Sequence, residues 1–267
     1  MSYFAKINNF SFLFLIVCFM TISSSSLSAP LPLTALAQAW QFPKEAIQIK
    51  PTAFWWRFQL APPALRAYFQ ETSGEISLPD HAWIESTVLV QHPYTQQGQQ
   101  YLFVLLKNQP VSKHVFGEQV TGWLSGLVFQ KKVGRWHVMA TGQALGWLST
   151  ASVPLRQFQH IALGTQQIGF LCTIDLSLPK TAHQEYRTYL ITQKNNTLSQ
   201  IGIFPIKTAR FNDEFTQYIE QQGRLIISPF VGTDFSPNTV QMTTIFRENP
   251  HGKILRQEKE QIIYHYN

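Results

Sequence analysis

Apolar and polar positions change rhythm twice along this chain. From Trp83 onward, short runs rich in Val, Ile, Thr, Tyr and Phe recur between turn residues, at 83–91, 101–107, 120–130, 135–140, 159–163, 168–177, 185–193, 198–207, 225–230, 239–247 and 253–266. Each run has strand length and strand composition. Gln97-Gly98, Val133-Gly134, Asn195-Asn196 and Pro250-His251-Gly252 read as the turns between them. The connections are too short for crossover helices, so the pattern predicts antiparallel pairing. Tyr101-Leu102-Phe103-Val104-Leu105-Leu106 is apolar on both alternating faces, which places it in the middle of a two-layer core.

Residues 33–74 have a different texture. Pro43, Pro51, Pro62 and Pro63 divide an aromatic-rich stretch into short pieces, predicting an extended lead-in followed by a helix that Pro62 and Pro63 open and Gly74 follows. A second helix is predicted late in the chain, where Phe211, Phe215, Tyr218 and Ile219 fall at helical spacing between Asn212, a candidate N-cap, and Gly223. The expected fold is mainly β: an antiparallel β-sandwich or partly closed barrel with one or two short helical inserts. A membrane β-barrel needs repeated apolar-out, polar-in alternation, and the doubly apolar run at 101–106 fits that poorly.

Ahead of both textures stands a leader. Lys6 precedes an apolar run from Phe10 to Ile22, followed by Ser23 to Ser26 and a small-residue stretch. This is the layout of a secretory signal peptide, with the apolar run too short for a comfortable span. Small-x-small sites occur at Ser26-Leu27-Ser28 and Ala35-Leu36-Ala37, giving cleavage near 28 or 37; Pro30 and Pro32 favour the later one. The expected organisation is a signal peptide over 1–37, a lead-in over 38–82 and an antiparallel β domain over 83–267, with a periplasmic or secreted location. Contact with the membrane is then only transient, through the signal.

Composition narrows the class. The apolar fraction is 45% and Asp, Glu, Lys and Arg total 13%, against about a quarter in an ordinary soluble domain. Such a chain has ample material for a core and little resemblance to a disordered one. Its formal charge of +6 favours anionic partners such as an envelope polymer, or another envelope protein. No basic run marks a nucleic-acid face, so no nucleic acid is expected. With Cys18 in the leader, Cys172 is the one cysteine of the mature chain, and its neighbours Phe170, Leu171 and Ile174 predict a buried strand thiol.

Candidate chemistry is sparse. Gln119 to Ser125 and Gln143 to Ser149 share five of seven residues at a spacing of 24, which suggests next-nearest strands of a meander. Glycines there leave gaps that aromatics can cover, so Trp123, Trp136 and Trp147 are expected to form one cluster. With Trp55 and Trp56, and with Gln119 and Gln143 as amide donors, these tryptophans are the candidate ligand-binding residues, suited to sugar rings if exposed and to core packing if not. The eight histidines have no metal-ligand spacing, Gly122-Trp123-Leu124-Ser125-Gly126 is not a nucleophile elbow, and the carboxylates are few, so no catalytic residue, cofactor or metal is assigned. The expectation is an exported, non-enzymatic binding or assembly protein of a bacterial-type cell envelope. A hydrolase of envelope polymers and an interaction subunit of an envelope-spanning complex are the competing readings.

Overall fold

The computed structural model describes residues 30–40, 42, 44–61, 63, 65–66, 81–111, 122–148, 153–163, 167–178, 183–212, 216–227 and 238–264. The leader before Pro30, the helix expected after Pro62 except residues 63, 65 and 66, and Gln119 lie outside the described residues.

Strands dominate. A short helix, α1 (Leu33–Ala39), is followed by β1 (Ile47–Ile49), β2 (Ala53–Arg57), β3 (Trp83–Gln96), β4 (Gln99–Pro110), β5 (Gly122–Lys132) and β6 (Arg135–Leu148). These six strands pair in sequence order, each antiparallel to the next. After them, β7 (Leu155–Ala162), β8 (Ile168–Asp175) and β9 (Gln184–Lys194) form a meander that joins β10 (Thr197–Phe211), which also pairs with β11 (Tyr218–Ile226) and touches β6 in parallel at Thr197 and Thr141. The ladder ends with β12 (Asn238–Arg247) and β13 (Ile254–Tyr264). One large sheet results, mainly antiparallel and not closed among the described residues. None of the described helices is long and apolar enough to cross a membrane.

Turn chemistry explains the register. At β3–β4 and β5–β6 the two loop residues both adopt positive φ: Gln97 at 50° with Gly98 at 75°, and Val133 at 49° with Gly134 at 75°. Two-residue loops of this kind match the twist of the strands they join. β1 and β2 carry the sheet into the segment expected to be only a lead-in. Their lengths of three and five residues and the flanking Pro51 left too little alternation to reveal them.

Among the described residues the stretch expected to be helical is strand instead: Phe211 ends β10 and Tyr218 begins β11. The Asn212 carboxamide oxygen instead accepts from the backbone N–H groups of Thr216 and Gln217 at 2.8 and 3.0 Å, tying the end of β10 to the approach to β11. An asparagine can cap a helix or close such a turn, and here the strand pairing on either side decides.

Both faces of the central strands are covered. Leu102, Val104 and Leu106 of β4 point with Trp123 and Leu127 of β5 toward α1, Phe54 and Trp56. Phe103 and Leu105 point the other way, with Leu124 and Val128, onto Phe170, Cys172, Ile174 and Tyr189 of the β7–β9 meander. Phe103 and Phe170 stack across this second contact with centroids 3.9 Å apart and planes within 13°. The reverse face of the meander packs Leu171 and Leu190 against Phe204 and Met242. Gln91 secures the start of the lead-in. Its amide accepts from Leu31 N at 2.8 Å and donates to Leu31 O at 3.1 Å.

Candidate functional site

Strand alternation separates Trp55 from Trp56. The Trp56 ring turns inward at 4% exposure, stacked on Phe42 at 4.9 Å and edge-on to Trp123 at 6.3 Å. Trp123 is 1% exposed and meets the half-buried Trp147 at 6.3 Å, so the structure brings Trp56, Trp123 and Trp147 together. Trp55 lies on the opposite face, donates to Glu85 Oε2 at 3.0 Å and carries Lys50 over its ring. Trp136 pairs with Lys131 at the far end of the β5–β6 hairpin, away from the Trp123–Trp147 pair, although it touches the same side of the core.

The two similar segments are adjacent, not next-nearest. Trp123 faces Trp147 directly across β5 and β6 because the hairpin folds the chain back on itself between them. Three residues, 143–145, stand against the single Ser125, so a bulge in β6 carries Gln143 to the edge of the tryptophan cluster. The aromatic over Gly146 comes from the other layer. A Cβ on Gly146 would lie 2.4 Å from the Tyr189 ring, whose hydroxyl donates to Trp147 O at 3.0 Å.

Beneath the tryptophans runs a buried polar chain. Trp56 Nε1 donates to Ser86 Oγ at 2.9 Å, Ser86 Oγ to Asn108 Oδ1 at 2.6 Å, and Asn108 Nδ2 to Ser125 Oγ at 2.8 Å. Neighbouring strands supply these residues: Ser86 and Asn108 are direct cross-strand partners. A cavity of about 20 Å³ between this chain, Gln143 and Trp40 has room for a single water. Ser125 is therefore occupied as an acceptor in a packed interior, at the end of a hydrogen-bonded chain that ties four strands together.

A larger opening lies on the reverse face of the meander. There a cleft of about 420 Å³ is lined by residues of β7, β8, β9, β10 and β11. Its floor is a cross-strand rung in which Gln157 faces Thr173 and Thr173 faces Thr188, with the two threonine hydroxyls 2.7 Å apart. Gln159, Tyr186, Arg156 and Arg224 complete the polar lining. Asp175 holds Arg156 at 2.9 Å; burial pushes the Asp175 carboxyl up, and hydrogen bonds from Ser177 and Arg156 bring it below the usual carboxylate range. Arg224 is exposed and forms no ion pair among the described residues. Hydroxyls, amides and guanidinium groups facing one concavity can hold a hydroxylated or anionic ligand. These positions come from four strands spread over seventy residues, and no local motif announces them.

Folding also joins two histidines that sequence spacing keeps apart. His92 Nε2 and His160 Nδ1 lie 3.1 Å apart, linking β3 to β7 beside Phe158 and Tyr94. Burial, then the neighbouring His160, lowers the His92 pKa from its ordinary 6.5. Among the described residues no group of three or more His, Cys, Asp or Glu side chains is placed to hold a metal ion. Cys172 is fully buried, and burial pushes its thiol far above the ordinary range, leaving it an inert apolar group.

No protein-family model, curated protein or solved structure matches the chain.

Proposed function

We propose that the protein is an exported, non-enzymatic binding or assembly component of a bacterial-type cell envelope, holding an anionic envelope polymer in the cleft lined by β7 to β11. The observation that carries the reading is the cleft lining, in which the Gln157–Thr173–Thr188 rung meets Arg224 and the Asp175-paired Arg156 with no carboxylate among the lining residues. The positive charge of the whole chain adds long-range attraction for such a polymer.

The layered packing of Phe103 on Phe170 supports a β-sandwich over a partly closed barrel. Export rests on the leader, and Leu36 and Ala37 bear on where it is removed. Both are buried in the core, and Leu31 is clasped by Gln91, so cleavage near Ser28 keeps a packed segment that cleavage at Ala37 would discard.

Full-length protein expressed with its own leader, purified and titrated with a heparin tetrasaccharide and with neutral cellotetraose, tests the reading. The anionic sugar is expected to bind, and Arg224→Glu and Thr188→Val to weaken it at least fivefold. Equal affinity for both sugars, or indifference to both substitutions, overturns the cleft. Retention of the uncleaved leader in the cytosol overturns export.

A further inference from the structure

The tip of the β5–β6 hairpin combines features that folding does not account for. Val133 stands at its apex, fully exposed, with φ at 49°. A β-branched residue is strained at positive φ. The neighbouring β3–β4 hairpin makes the same turn with the polar Gln97 at 50°, so the turn itself needs no apolar residue. Backbone strain kept without a folding benefit points to a use outside the fold.

Cations surround the apex. Lys131 and Lys132 precede Val133, and Arg135 follows Gly134. Lys131 pairs with Trp136 and Lys132 with Arg135 across the hairpin, so strand alternation sets Lys131 and Trp136 on one face and the other two cations on the opposite one. Lys131 Nζ lies over the half-buried Trp136 ring, and none of the three cations forms an ion pair among the described residues. Carboxylates are missing from this region of the chain: from Ser86 to Ile174, which takes in most of β3 and all of β4 to β7, Glu118 is the single acidic residue. Tyr101 pairs with Gln130, and Gly98 and Val133 each lie three residues beyond that pair, so the uncharged tip at Gln97, Gly98, Gln99 and Gln100 ends level with the cationic one.

We infer that this tip docks on an anionic phospholipid bilayer, inserting Val133 below the headgroups while Lys131, Lys132 and Arg135 meet the phosphates around it. An apolar point ringed by unpaired cations suits a surface where phosphate overlies hydrocarbon. A soluble polyanion offers the cations the same charge but gives Val133 nothing to enter. Trp136, one turn of the strand behind the apex, is of the residue type that settles at the membrane–water boundary, and Lys and Arg stems reach along apolar surface while their charged ends stay in water.

Each cation held near an anionic leaflet strengthens binding about fivefold, and a single inserted side chain adds little, so the contact is reversible and weakens as salt is raised. It belongs to the folded chain and is additional to the passing contact made through the leader. The tip shares no residue with the polar cleft, and its failure leaves the polymer-binding reading standing.

Cosedimentation of the leader-processed protein with vesicles reads the contact, using phosphatidylglycerol mixed into phosphatidylcholine and phosphatidylcholine alone. Binding to the mixed vesicles is expected to be the stronger, and Lys132→Gln/Arg135→Gln should weaken it at least tenfold. Val133→Asn keeps every charge and relieves the turn, so it should bind the mixed vesicles at least threefold more weakly while losing no stability and leaving the affinity for the heparin tetrasaccharide unchanged. Because Cys172 is buried, an environment-sensitive dye on Val133→Cys reports the apex alone, and its emission should shift to the blue on mixed vesicles. Equal binding to the two kinds of vesicle, or binding to neither, overturns the inference. So does undiminished vesicle binding by Val133→Asn, which would make the tip a contact for any polyanion, or a dye that stays in water when the protein is bound.

Discussion

The Tyr189 ring occupies the space that a side chain on Gly146 would fill. Built on Gly146, a Cβ would lie 2.4 Å from the tyrosine Cε1 and 2.8 Å from its Cδ1, while the Tyr189 hydroxyl reaches the next carbonyl along, that of Trp147. The glycine thus lets β9 of one layer press against β6 of the other and turns the Trp147 backbone into an acceptor for it.

Gly146→Ala should therefore destabilise the protein by about 1–3 kcal/mol, the range for overpacking a filled interior. Urea unfolding of the two proteins measures the difference. Because the clash is with one ring, Tyr189→Leu should cost stability alone yet reduce the penalty of Gly146→Ala when combined with it. Additive effects would show that the pair does not interact.

Val133 carries the opposite kind of defect. It is a β-branched residue at a φ of 49°, fully exposed, in a loop whose partner Gly134 also has positive φ. Asparagine tolerates that conformation far better, and Val133→Asn should stabilise the hairpin by about 1 kcal/mol. An unchanged or lowered melting midpoint would contradict this.

The buried chain through Ser86, Asn108 and Ser125 predicts strong coupling. Asn108→Ala removes three hydrogen bonds in the interior, to Ser86, Ser125 and the Trp123 carbonyl, and should cost about 2–4 kcal/mol. Ser86→Ala leaves Trp56 Nε1 without its acceptor and should cost about 1–3 kcal/mol. The two losses share the Ser86–Asn108 bond, so the double variant should lose less than the sum of the singles. Equilibrium denaturation of all four proteins closes the cycle.

Most of the β architecture was legible because its punctuation is local. Gln97-Gly98, Val133-Gly134 and Asn195-Asn196 are chain reversals that any neighbouring strands would share, and the runs between them became β3–β6 and β9–β10. The layer order was not legible in the same way. It depends on which face of β4 meets α1 and which meets Phe170, and both faces are apolar. Trp55 and Trp56 are chemically alike, and only the parity of β2 sends one to Glu85 and the other into the core. The polar cleft is hidden for a different reason. Gln157, Thr173, Thr188 and Arg224 each look like an ordinary exposed strand residue until pairing and layering set them around one space.

The contact between His92 and His160 makes stability depend on pH in a calculable direction. Burial first, and His160 second, hold the His92 pKa below 6.5, so the unfolded chain takes up a proton there more readily than the native one. The neighbouring Tyr94 stacks on His160 and on Tyr101; burial raises the Tyr94 pKa, keeping that phenol neutral throughout the acid range. The stability conferred by neutral His92 is present above pH 6.5 and is lost as the pH falls through 6.5 toward its lower native value. His92→Phe removes the titration and keeps a ring against Phe158. Denaturation midpoints at pH 7.5 and 5.5 should then fall less in the variant than in the natural protein, because acid no longer charges a group wedged between β3 and β7. Parallel losses in the two proteins would mean that His92 does not couple stability to acid.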